Sequence, residues 1–112
     1  PERAKSEFGM MDFSRQINLT FEPPDFNRFP ALKLALAVSE TGGTAPADLN
    51  AANEIAVEAF LNKAISFVDI VKIIEETVTE IKTINVPELE DILNADKLAR
   101  NRAERMTGQP IC

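Results

Sequence analysis

The chain has 112 residues, with 12 Lys and Arg against 18 Asp and Glu, no His, no Trp, no Tyr and a single Cys at position 112. That length holds one domain, long enough to bury roughly two-thirds of its unfolded surface and too short for a cofactor domain and a substrate domain together. Without His, and with one Cys, a His-assisted nucleophile, a Cys/His zinc site and a disulfide framework are excluded, while a net charge of −6 argues against nucleic-acid binding.

No apolar run approaches the roughly 20 residues needed to cross a bilayer, and no signal-peptide pattern opens the chain, so the expectation is a soluble, non-membrane, cytoplasmic piece. Pro1 to Gly9 is polar and aperiodic and begins without Met, which suits a segment of a longer polypeptide. Ile17-Asn18-Leu19-Thr20-Phe21 alternates apolar and polar side chains, the period of a half-buried β-strand. A single strand has no ladder partner of its own, so its sheet is expected to belong to another stretch of chain. Pro23-Pro24 ends it, and Asp25 to Phe29 reads as a turn.

From Pro30 the pattern is helical. Proline is tolerated in a first turn, Leu32, Ala35, Leu36 and Val38 form an apolar stripe, and Gly42-Gly43 supplies a left-handed stop. Thr44 is placed to cap a second helix over about Ala45 to Asn62, whose inward residues are Leu49, Ala52, Ile55, Ala56, Ala59 and Phe60. Its alanines permit close helix–helix approach. Ser66 and Asp69 resemble a capping box for a third helix, Asp69 to about Lys82, with Ile70, Ile73, Ile74, Val78 and Ile81 facing the core. Pro87 starts a short turn through Leu93, and a last helix is expected from Ala95 to Met106, presenting Leu98, Ala99, Ala103 and Met106. Four helices with short connections predict a small antiparallel bundle, mainly α, preceded by one strand.

Charge is distributed unevenly. Residues 34–94 carry Lys63, Lys72 and Lys82 against eleven acidic groups, whereas residues 95–112 carry Lys97, Arg100, Arg102 and Arg105 against Asp96 and Glu104. A basic last helix beside an acidic middle suits a helix docked on its own domain. Glu54 and Glu58 share a helix face, but the di-iron carboxylate pattern requires His partners, so they read as a solvated acidic face, as do Glu75, Glu76 and Glu80. Cys112 has no basic or His neighbour in sequence to activate it. Asn50 and Asn53 stand out. Amides are poor helix formers, and inside a helix rich in Ala, Leu and Ile they point to a hydrogen-bonding role between helices or domains.

The run Leu49-Asn50-Ala51-Ala52-Asn53-Glu54-Ile55-Ala56-Val57-Glu58-Ala59-Phe60-Leu61 resembles the signature helix of the 1-deoxy-D-xylulose 5-phosphate reductoisomerase family. Asp12-Phe13, Leu19-Thr20-Phe21 and Pro24-Asp25-Phe26 resemble that family's final strand and following turn, and Arg28-Phe29-Pro30-Ala31-Leu32-Lys33-Leu34-Ala35 its first C-terminal helix. Gly42-Gly43-Thr44, Phe67-Val68-Asp69-Ile70, Asp91-Ile92-Leu93 and Ala99-Arg100 follow at matching intervals, so the resemblance extends from about Pro1 to Met106.

The resemblance implies residues 1–25 as the end of a central catalytic domain, with strand 17–21 and a linker, and residues 26–112 as a C-terminal helical bundle. It implies a homodimeric parent enzyme, using NADPH and Mg or Mn, that converts 1-deoxy-D-xylulose 5-phosphate to 2-C-methyl-D-erythritol 4-phosphate for isoprenoid precursor synthesis. The setting implied is the bacterial cytoplasm or a plastid-type organelle. The family's metal ligands, phosphate-binding residues, nucleotide-binding glycines and active-site loop lie upstream of the matched segment. No catalytic, cofactor-binding or metal-binding residue therefore carries over. Thr44, Asn50 and Asn53 are left as structural or interdomain candidates, with the upstream domains as partner and the chain inactive alone. The competing expectation is a free-standing helical module that binds a partner, or itself, through the exposed strand.

Overall fold

A computed structural model describes residues 12–108 and places four α-helices in succession: α1 Pro30–Thr41, α2 Ala45–Leu61, α3 Phe67–Glu80 and α4 Leu89–Thr107. The most extensive pairings are α2 with α4 and α2 with α3, while α1 rests more lightly on α2 and α3. The core comprises Ala52 and Ala56 of α2, Ile70, Ile73 and Ile74 of α3, and Ala103 of α4. Leu34, Leu49, Ile55, Phe60, Val78 and Met106 close around it. Inside this core the Thr77 hydroxyl donates to the Met106 sulfur at 3.9 Å, which gives a fully buried polar group an acceptor on the neighbouring helix.

The four-helix architecture agrees with the periodicity; the strand does not form. Residues 17–21 carry no secondary structure and their apolar members stand in solvent, Phe21 at 87% exposure. The physical reason is the one alternation cannot supply: a strand exists only as half of a ladder, and among the described residues nothing pairs with it. Two helix starts also move. Ser66 N–H donates to the Asp69 carboxylate at 3.0 Å, so Asp69 is the third helical residue of a capping box and α3 begins at Phe67, not Asp69. A second box, with Glu88 N–H on Asp91 at 3.0 Å, begins α4 at Leu89 and absorbs the turn expected through Leu93.

The apolar stripe of α1 is also only partly used. Val38 is buried, whereas Leu32 and Leu36 remain exposed because α1 meets its neighbours along a narrow line. Phe13, Phe29 and Phe67 are exposed as well, and Leu98 faces solvent instead of the core. Phe60 alone among the described phenylalanines joins the core, where it meets the edge of Phe67 at 5.7 Å between ring centres.

The end of α2 is closed by a Schellman motif. Ala64 N–H donates to the Ala59 carbonyl and Lys63 N–H to the Phe60 carbonyl, both at 2.9 Å, with Lys63 itself at φ +62°. A side chain in that left-handed conformation crowds its own carbonyl. Lys63→Gly is therefore expected to stabilise the chain by about 0.5–1 kcal/mol in urea unfolding; a loss of stability would contradict the assignment.

Candidate functional site

The three polar residues singled out in sequence fall on the first half of α2 and its approach, but the fold uses them differently. Thr44 is buried and adopts helical backbone angles, φ −82° and ψ −13°. Its side chain does not cap α2, contrary to expectation. Instead the Thr44 hydroxyl accepts the Ile84 N–H at 3.1 Å, while Thr44 N–H donates to the Ile84 carbonyl at 3.1 Å. This double clasp fastens the α1–α2 turn to the α3–α4 connection, forty positions away. Gly43, at φ +59°, makes the approach possible: a Cβ there would sit 2.2 Å from the Ile84 carbonyl oxygen.

Asn50 is exposed and donates from Nδ2 to Glu54 Oε1 at 3.0 Å. Asn53 is half-buried and makes no side-chain hydrogen bond among the described residues. The structure thus ties Asn50 to Glu54 but does not join the two amides in a common site.

Glu54 leads to the electrostatic centre of the bundle. Arg100 of α4 donates from Nη2 to Glu54 Oε2 at 2.7 Å, from Nε to Asp96 Oδ2 at 2.9 Å, and from Nη2 to Asp96 Oδ1 at 3.2 Å. The guanidinium, with Asn50 in support, holds the Glu54 carboxyl below its usual range, and the two carboxylates in turn keep Arg100 charged. A second bridge, Arg102 Nη2 to Glu80 Oε1 at 2.6 Å, ties α4 to α3. The basic last helix is therefore docked on acidic neighbours. The Asp96–Arg100 spacing of four residues was legible as a helix pair, but its extension to Glu54 required the α2–α4 packing.

The first turn of α2 holds a carboxylate with no partner on either oxygen. Asp48, in the first turn of α2, is 1% exposed, and neither carboxylate oxygen makes a hydrogen bond. Burial, aided by the charge of Asp96, pushes its carboxyl up to about 6. The sequence places Asp48 near the positive end of α2, where an acid favours the helix dipole; its burial without a partner is set by the packing.

Chemically, these groups join helices. Among the described residues no set of three or more Asp, Glu or Cys side chains gathers as metal ligands, and Glu54 is engaged by Arg100. An open groove of about 470 Å³ between the end of α3 and α4 is lined in part by Ile81, Leu98, Lys82 and Arg105. No described helix is long and apolar enough to cross a membrane.

Comparison with known proteins places this bundle. The profile of the DXP reductoisomerase C-terminal domain matches residues 1–102. The 1-deoxy-D-xylulose 5-phosphate reductoisomerase of Chlorobium chlorochromatii (strain CaD3) is 47% identical over 104 residues, 93% of this chain and 27% of that relative. The enzyme of the same name from Halothermothrix orenii is 46% identical over 109 residues, 97% of this chain and 28% of the relative. In solved structures, the Zymomonas mobilis reductoisomerase in complex with NADPH is similar with a TM-score of 0.79 and 41% identity, covering 97% of this chain and 29% of that one. The chain thus spans little more than a quarter of the length of these relatives.

The clasp gives a direct test. Gly43→Ala forces a side chain both into a left-handed conformation and against the Ile84 carbonyl, and should cost about 2–4 kcal/mol in urea unfolding. Gly42→Ala meets open space but also a backbone region almost confined to glycine, φ +66° and ψ −148°, and should cost about 1–3 kcal/mol from strain alone; a Gly43→Ala loss below about 1 kcal/mol would show that the contact with Ile84 carries no weight.

Proposed function

The chain belongs to the DXP reductoisomerase C-terminal domain family, and from this we infer that it serves as the C-terminal structural domain of a reductoisomerase. The parent converts 1-deoxy-D-xylulose 5-phosphate to 2-C-methyl-D-erythritol 4-phosphate, with NADPH as reductant and Mg or Mn to polarise the substrate oxygens. This chain supplies no catalytic group; its contribution is a rigid bundle that supports the upstream domains. The reading places the parent as a homodimer in the bacterial cytoplasm or a plastid-type organelle.

The observation that carries this reading is the family match across nearly the whole chain combined with a cover of little more than a quarter of each relative. Its support in the fold is the apolar surface left open at one end of the sequence. Leu19, Phe21, Phe29, Leu32 and Leu36 are all half or more exposed or close to it, a run that water would not favour on a finished surface. Residues 1–25 are then the end of the central domain, residues 26–112 the bundle. Ile17 to Phe21 becomes a strand when upstream strands are present to pair with it. Asn50 and Asn53 are the polar groups assigned to the junction, and Thr44 holds the loops behind them.

An NADPH-oxidation assay with the sugar phosphate and Mn should give no turnover with this chain alone, and turnover when it is continuous with the upstream domains. Activity from the isolated chain would overturn the assignment. In the full-length enzyme, Asn53→Ala should lower the melting temperature or turnover while leaving metal affinity unchanged; a variant with both values intact would remove Asn53 from the junction. If the chain is instead a free-standing module, sedimentation should show concentration-dependent association that disappears when residues 1–24 are deleted.

A further inference from the structure

We propose that the seam between the first turn of α2 and α4 is a proton-operated latch, in which neutral Asp48 keeps α2 seated and loss of its proton loosens that end of the bundle. The geometry gives an ionised Asp48 no stabilising partner. It is 1% exposed, so water cannot solvate it, and neither oxygen has a hydrogen-bond donor. The charged side chain that bears on it from α4 is Asp96, which is repulsive. Arg100, the cation paired with Asp96, directs its three hydrogen bonds to Asp96 and Glu54 and none to Asp48. Lys33 and Glu40 of α1, Lys82 and Glu88 of the α3–α4 connection, and Lys97 of α4 form no ion pair or hydrogen bond with it.

The backbone offers no escape. Asp48 N–H is committed to the Thr44 carbonyl at 3.1 Å, one turn earlier, and Thr44 is clasped to Ile84. An ionised Asp48 therefore either remains buried and unpaired, which is costly, or pulls the first turn of α2 toward water against the clasp. Protonation removes both the desolvation cost and the repulsion from Asp96 at once.

The direction of the pH effect follows from proton binding. Asp48 titrates near its ordinary value of 3.8 in the unfolded chain and is pushed up to about 6 in the folded one, so the folded state binds the proton more tightly. Stability from this group consequently falls as pH rises through that window and stays low above it. Glu54 and Asp69, whose carboxyls are held low by Arg100 and Ser66, act in the opposite sense, but only as pH drops through the ordinary carboxylate range. The interval from about pH 5 to about pH 7.5 lies above the range in which Glu54 and Asp69 act and contains the Asp48 effect.

The test is chemical unfolding of the full chain at about pH 5 and about pH 7.5, for the natural sequence, Asp48→Asn and Asp48→Val. The natural chain should have a folding equilibrium constant about tenfold larger at the lower pH. Both variants should lose that dependence and exceed the natural chain at pH 7.5. A natural chain and Asp48→Asn with parallel pH profiles, or an Asn variant less stable at pH 7.5, would overturn the proposal. Should either variant fail to fold, the carboxyl ¹³C shift of Asp48 in the natural chain decides independently: an inflection near 6 supports the latch and one below about 4.5 rejects it.

Discussion

The close approach of α2 and α4 is the constraint on which the rest of this bundle depends. Ala52, Ala56 and Ala59 on one helix and Ala95, Ala99 and Ala103 on the other are all buried, so the two backbones meet with little between them. Alanine loses no side-chain entropy when buried, which makes such a seam cheap to order, but each methyl contributes little transfer free energy. Cohesion has to come from elsewhere. Ile70, Ile73 and Ile74 of α3 supply it by covering one side of the seam.

That tight approach also sets the electrostatics. With no large side chains to separate the helices, polar groups on either flank are brought within reach of each other, and Arg100 spans the gap to Glu54 while holding Asp96. The same closeness traps Asp48. An acid in a first turn would ordinarily turn outward to water, but Asp48 is 1% exposed and feels the charge of Asp96 on α4. A stabilising ion-pair network and an unpaired buried acid are thus two results of one packing decision.

α1 shows what that packing leaves undone. α1 buries only Val38 fully, and the segment before it carries exposed Leu and Phe side chains. This open apolar face is the surface that the proposed function assigns to contact with the remainder of a longer chain.

The number and order of the helices are legible in the residues, because a 3.6-residue apolar period, Gly42-Gly43 and the Ser66–Asp69 box are local signals that need no partner. The sequence also carried the family, since spaced motifs survive without coordinates. Tertiary structure alone decided which apolar residues count as core. Leu32, Leu36 and Leu98 have the right period and the wrong neighbours. It likewise decided that Ile17 to Phe21 makes no strand within this chain, that Thr44 clasps Ile84 instead of capping α2, and that Asp48 is buried. Each of these depends on contacts between segments distant in sequence, and no local pattern encodes whether the second segment will be there.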